Sequence, residues 1–92
     1  MNSESGRFIK DPQAKLDYGV NWAAWLDGDV ILNSTWSADP GITIEANSAT
    51  DSVATVWLSG GAVGKSYQVT NHITTQGGRE DDFSIMITVL QK

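Results

Sequence analysis

Cysteine is absent from the 92-residue sequence, which excludes disulfide bonds and thiolate metal sites. Basic residues are few, since six Lys and Arg face eleven Asp and Glu and the net charge is −5. This balance argues against binding nucleic-acid phosphates and against docking on anionic membranes. No apolar run approaches the ~18 residues of a transmembrane helix, and residues 1–6 lack the pattern of a signal peptide. The sequence therefore predicts one small domain with a thin core.

Good helix formers rarely cluster, whereas β-branched and aromatic residues are frequent and alternate with polar ones. Period-two patterns predict strands over residues 16–21, 29–36, 41–45, 53–58, 66–74 and 82–90. Turns that contain glycine or proline separate these segments. Residues 22–26 are a short excursion, either one turn of helix or a loop. The pattern is typical of an all-β chain folded as a single antiparallel two-sheet sandwich of six to seven strands.

The inward positions of these strands supply the expected core. Tyr67 opens the penultimate strand just after a turn, which favours a tyrosine corner, with the hydroxyl bonded to upstream backbone. The alternative is an ordinary core tyrosine. In residues 53–58, either Trp57 or its two neighbours face inward. We expect the core to contain Trp36, Val56, Leu58, Tyr67, Val69, Ile85 and Ile87.

The N-terminal segment is separated from the strands by a break at Asp11-Pro12, because proline pushes the residue before it out of the helical region. Residues 1–15 are therefore predicted to be a partly disordered arm, and residues 16–92 the sandwich. Phe8 and Ile9 form an apolar pair within the arm that can dock on a partner. The alternative is an ordinary edge strand over residues 7–10.

No constellation of catalytic residues is found in the sequence. His72 is the only histidine, and no Gly-x-Ser-x-Gly elbow accompanies it. One histidine without cysteine also makes a zinc site improbable in chemical terms. The run from Ser59 to Ser66 ends in Gly-Lys-Ser like a phosphate loop, but the spacing of its glycines is wrong and a strand follows it. We therefore predict no enzyme, no catalytic residues, no cofactor and no metal.

Acidic residues in loops raise the question of calcium, which binds through carboxylate oxygens. Asp27 and Asp29 flank Gly28, and Asp81 and Asp82 follow Glu80. Neither group has the spacing of an EF-hand, and acidic loop tips are common without any ion. The sequence leaves a structural calcium ion as the lesser alternative.

Tryptophan is enriched, with four residues in a chain of 92. A thin core has room for one or two of them, so Trp22, Trp25 and Trp57 become candidate interface residues together with Phe8 and Ile9. Two alternatives remain at this point. Trp22 and Trp25 can cap an open end of the sandwich, or the exposed rings can stack against sugars.

Two runs carry a resemblance to a known family. The first is Leu-Asp-Tyr-Gly at residues 16–19 followed by Trp-x-x-Trp-Leu at residues 22–26, and the second is Thr-Val-Trp-Leu-Ser-Gly-Gly at residues 55–61. Together with Gly78-Arg79-x-Asp81-Asp82, they resemble small structural proteins of tailed bacteriophages and prophages, of the fiber-tail adaptor or head-tail region type. The resemblance extends over residues 11–90.

This resemblance implies an immunoglobulin-like β-sandwich and a non-enzymatic structural role in a virion. The implied function is an adaptor that joins tail or connector to fiber through protein contacts, in several copies around a symmetric assembly. The implied partners are other virion proteins, and synthesis in the bacterial host cytoplasm agrees with the absence of cysteine. The alternative function is an immunoglobulin-like module that binds carbohydrate or a cell surface.

Overall fold

The structure, a computed structural model, describes residues 6–91, and strands account for most of them. In chain order, the elements are β1 (Gly6–Lys10), β2 (Leu16–Asn21), α1 (Ala23–Leu26), β3 (Ile31–Ala38), β4 (Ile42–Ala49), β5 (Val53–Gly60), β6 (Ser66–Thr75) and β7 (Glu80–Val89). One sheet has the order β1-β7-β6-β3 and the other the order β2-β5-β4. The predicted all-β sandwich is confirmed.

The six strands β2 to β7 correspond to the six predicted segments because their inner faces follow the period of two, although β4 continues to Ala49. In β5, Ala54, Val56 and Leu58 are completely buried, so the phase that the sequence left open places Trp57 on the outside. The excursion after β2 is a single helical turn, in which the Asn21 carboxamide accepts a hydrogen bond from the Ala23 N–H. Among the described residues, no helix is long and apolar enough to cross a membrane.

The N-terminal segment differs from the prediction. Gly6–Lys10 pairs in parallel with β7, from Gly6 opposite Ile85 to Lys10 opposite Val89. The expected arm over residues 1–15 is thus corrected for these five positions to the edge-strand alternative, and the sandwich is antiparallel except for this one pair. The part of the predicted arm at residues 1–5 lies outside the described residues.

Lys10 explains why this segment joins the fold. Its side chain is completely buried, and Nζ donates hydrogen bonds to the carbonyls of Asp11 and Gly60, each over 2.8 Å. Burial lowers the pKa of Lys10 because desolvation disfavours the ammonium form, and the nearby Asp11 partly opposes this effect. The bond to Gly60 links β1 of one sheet to β5 of the other.

The core consists of two apolar clusters between the sheets. Of the predicted core residues, six are buried: Val56, Leu58, Tyr67, Val69, Ile85 and Ile87. Trp36 is only half-buried, because it lies on the edge strand β3, where it packs against both clusters. The second cluster contains Trp22 and Leu26 from the α1 region together with Ile73 of β6.

Tyr67 forms the predicted tyrosine corner. Its hydroxyl accepts a hydrogen bond of 2.8 Å from the backbone N–H of Ala62, five residues upstream. Glycine is required beside the ring, since a Cβ on Gly41 would lie 2.8 Å from the Tyr67 ring and φ there is +107°. The glycine-rich run before Tyr67 contains Ala62 and forms the turn between β5 and β6.

Replacing Tyr67 by Phe should lower the free energy of unfolding by about 1–3 kcal/mol, because the Ala62 N–H loses its acceptor in a partly buried site. Urea denaturation at neutral pH measures the effect. The matched control is Tyr18→Phe, since the buried Tyr18 hydroxyl has no hydrogen-bond partner among the described residues. We expect this control to be neutral or slightly stabilising, and equal losses in both variants would contradict the role given to the Tyr67 hydroxyl.

Candidate interaction surface

Trp57 lies on the outward face of the three-stranded sheet. It occupies the central strand β5 and is 39% exposed, with Asp17 of β2 opposite it on one side and Ala46 of β4 on the other. A β-bulge between Ile44 and Ala46 sets this register in β4. We use the term Trp57 face for the outward residues Asp17, Gly19, Glu45, Ala46, Thr55 and Trp57.

Small residues surround the indole on this face. Gly19 lies opposite Thr55, the next outward residue of β5, and Asp17 lies opposite Trp57 itself. On the other side, the Glu45 carboxylate accepts a hydrogen bond from the Ser59 hydroxyl of β5. The Trp57 face thus combines one apolar ring with two carboxylates.

Trp22, a predicted interface residue, is completely buried, and this prediction is wrong. Its indole Nε1 donates a hydrogen bond of 2.9 Å to the Asn71 side chain, which is itself buried on β6. The ring also meets Trp25 and Phe83 edge to face, with centroids 5.3 and 6.3 Å away. A buried indole needs an acceptor for its N–H, and a polar residue on an inward position of β6 provides one.

Trp25, also a predicted interface residue, is half-buried and held within the fold. The Arg79 guanidinium lies 4.3 Å from its ring centroid. The same guanidinium donates to the carbonyl of Leu26 over 2.6 Å and to that of Trp25 over 3.3 Å. Trp25 therefore takes part in closing one end of the sandwich, as in the capping alternative.

Asp29 completes this end of the molecule, although the sequence had suggested only a turn or an ion ligand. Its carboxylate accepts hydrogen bonds from the N–H groups of Val30 and Gly77 and from Nε of Arg79, over 2.9, 3.0 and 3.3 Å. A further hydrogen bond, from the Thr75 side chain, has the largest effect on this carboxylate. Together these bonds lower the pKa of Asp29 to about 2. Asp29 thus fastens the tip of the β6–β7 hairpin to the loop after α1.

Phe8 and Ile9, the remaining predicted interface residues, point in opposite directions from β1. Phe8 lies on the inner side, where its ring contacts Tyr18 with the centroids 5.1 Å apart. Ile9 is opposite Thr88 on the outward face of the four-stranded sheet, and 53% of it is exposed. Among the strands between residues 6 and 91, β1 pairs only with β7, so its second edge is unpaired there.

His72 projects outward from β6 and lies between two carboxylates of β7. Its Nδ1 contacts Asp82, and its Nε2 lies 3.1 Å from Glu80. These contacts, that of Asp82 foremost, raise the pKa of His72 because they favour the imidazolium. No group of residues with the arrangement of a metal site is present between residues 6 and 91.

Comparison with known proteins identifies a family. The model described as podophage GP4 fiber-tail adaptor protein gp77 matches residues 10–88. No match was found among curated proteins. The solution structure of the PKD domain from KIAA 1837 protein is similar to 99% of this chain over 85% of its own length, with a TM-score of 0.60 and 18% identity. This likeness shows the immunoglobulin-like fold.

The Asp29 carboxylate predicts a specific dependence of stability on acid. Its pKa in the folded chain is about 2 against an ordinary value of 3.8, so its stabilisation is present above pH 3.8 and lost as the pH falls through about 2. We expect Asp29→Asn to be less stable than the wild type near neutral pH, and the difference to shrink toward zero in strong acid. Urea unfolding from neutral pH down to pH ~1.5 measures it.

The control for this prediction is Asp27→Asn, which changes an exposed carboxylate in the same loop. Asp27 adopts a left-handed backbone with φ 49°, a conformation that asparagine tolerates. We expect the free energy of unfolding of Asp27→Asn to change with pH in the same way as that of the wild type. A constant difference between Asp29→Asn and the wild type over the whole pH range would contradict the assignment.

Proposed function

The chain belongs to the Gp77 family of podophage fiber-tail adaptor proteins, which are virion structural proteins, and we propose that it joins a tail or connector component to a fiber through two separate surfaces. One surface is the Trp57 face. The other is the open edge of β1 with Ile9. Contacts with other tail or fiber proteins are what this family membership suggests.

One observation carries the proposal: Trp57 and Ile9, two of the exposed apolar residues, lie on opposite layers of the sandwich. Trp57 faces outward from the sheet β2-β5-β4, and Ile9 faces outward from the sheet β1-β7-β6-β3. A subunit that bridges two partners needs such separation, because the partners then approach from different sides without competing. The rigid core between the sheets keeps the two surfaces at a constant distance.

The open edge of β1 supports strand addition as the mode of contact on its side. An extended segment of a partner can pair with the free N–H and carbonyl groups of an edge strand, while its side chains meet those of the host strand. Ile9 supplies an exposed apolar side chain on that edge, and Phe8 a half-exposed one. Several copies around a symmetric tail would each present the same edge.

The geometry favours this function over the carbohydrate-binding alternative. A sugar platform of that kind uses two or three coplanar exposed aromatic rings with polar groups beside them. On the outward strand faces of the described residues, Trp57 has no aromatic neighbour, while Trp22 is buried and Trp25 is covered by Arg79. We further infer that the chain acts in the virion without catalysis, cofactor or metal, after synthesis in the host cytoplasm.

A reconstitution with phage particles tests the proposal. Particles produced without this chain should lack fibers in negative-stain images, and added wild-type chain should restore the attachment of purified fiber protein. Ile9→Asp should weaken one of the two attachments at least about fivefold, because it places a charge at an apolar contact. The control is Val63→Asp, since Val63 is 53% exposed like Ile9 but lies in the β5–β6 loop.

The outcomes separate the proposal from its alternatives. Fibers that remain on particles without the chain would contradict the adaptor function. If Ile9→Asp binds both partners as tightly as the wild type does, the β1 edge is not part of either contact. Binding of the chain to glycans that is abolished by Trp57→Ala would establish the carbohydrate-binding alternative instead.

A further inference from the structure

We propose that the Trp57 face binds a basic partner surface, on which an Arg or Lys side chain lies over the Trp57 indole and pairs with Asp17. This inference rests on the proposed function, because it names the chemistry of one of the two partners. It commits to a protein surface rich in Lys or Arg rather than to a second copy of this chain.

The first argument is the distribution of charge. The strands β2, β4 and β5 contain no Lys or Arg, and their only charged residues are Asp17 and Glu45. Both carboxylates belong to the Trp57 face. Neither forms an ion pair with a described cation. The face therefore presents negative charge that a positively charged partner complements.

The second argument is the geometry around the ring. Asp17 is the residue directly opposite Trp57 across the β2–β5 pair, and opposite residues on one sheet face lie about 5 Å apart at Cβ. A guanidinium above the indole is then within reach of the Asp17 carboxylate. Two of the positions nearest the ring, Gly19 and Ala46, carry no side chain larger than a methyl group, and 39% of Trp57 is exposed to an incoming side chain.

The chain itself contains the arrangement that we propose between partners. At the half-buried Trp25, the Arg79 guanidinium lies 4.3 Å from the ring centroid, and its Nε donates to the Asp29 carboxylate. A cation over an indole with a carboxylate beside it is thus stable in this fold. The attraction grows when both groups lose water, as they do at an interface.

A second copy of this chain is the less favourable occupant. Two such faces in contact would bring Asp17 and Glu45 of each copy together without a cation, and the whole chain carries a net charge of −5. Like charges at an interface oppose association. The same negative charge increases the rate of encounter with a basic partner.

The test measures binding of the purified chain to each proposed partner separately, namely particles that were produced without the chain and purified fiber protein. Trp57→Thr removes the ring while keeping a residue that favours strands, and we expect at least about 30-fold weaker binding. Asp17→Asn should bind a few-fold more weakly, and its affinity should fall less steeply with added salt than that of the wild type. Thermal melts confirm that each variant is folded.

Matched controls separate the site from general effects of the substitutions. Leu32→Thr removes an exposed apolar side chain, 64% exposed, from the edge strand β3 of the other sheet. Asp51→Asn changes the net charge by the same amount in an exposed turn. Both should bind within about twofold of the wild type, since most residues outside the centre of an interface contribute little.

Each result decides a distinct question. If Trp57→Thr binds both particles and fiber protein as tightly as the wild type does, the inference is overturned and the adaptor function stays intact. If Trp57→Thr loses binding but the affinity of the wild type does not depend on salt, the partner surface is apolar rather than basic. Failure of the wild-type chain to bind either particles or fiber protein would overturn the proposed function and the inference with it.

Discussion

The hydrogen bond between the Trp22 indole and the Asn71 carboxamide is the interaction on which one end of the molecule depends. A completely buried indole must satisfy its N–H, and Asn71 accepts that bond over 2.9 Å while donating to the Ser34 hydroxyl. With Trp22 fixed, α1 holds Trp25 at the end of the sandwich, where Arg79 covers it. Two of the four tryptophans thus maintain the fold, Trp36 packs half-buried on β3, and Trp57 is left as the exposed ring.

The two proposed contact surfaces follow from the thinness of the domain. Each strand that contributes to the core turns its alternate residues outward, so the two sheets expose two broad faces on opposite sides. The phase of β5 buries Val56 and Leu58 and therefore turns Trp57 outward. Because the core is rigid, contacts on one face leave the other face available, which is the property that an adaptor between tail and fiber requires.

The sequence predicted those elements whose signal is local. Alternation along residues 53–58 and 66–74 indicated β5 and β6, and a tyrosine after a turn indicated the Tyr67 corner. It did not predict features that depend on distant partners. The burial of Trp22 requires Asn71, 49 residues away, and Lys10 joins the fold through Gly60, 50 residues away. An exposed arm and an edge strand paired with the sheet have the same local pattern, so only these long-range bonds distinguish them.

A cryo-electron microscopy reconstruction of the tail with the chain bound tests the central claim most directly. We predict that Trp57 and Ile9 contact two different partner proteins, and that a Lys or Arg of one of them lies within about 6 Å of the Trp57 ring. A reconstruction in which both residues contact the same protein, or in which Trp57 faces solvent, would contradict the account.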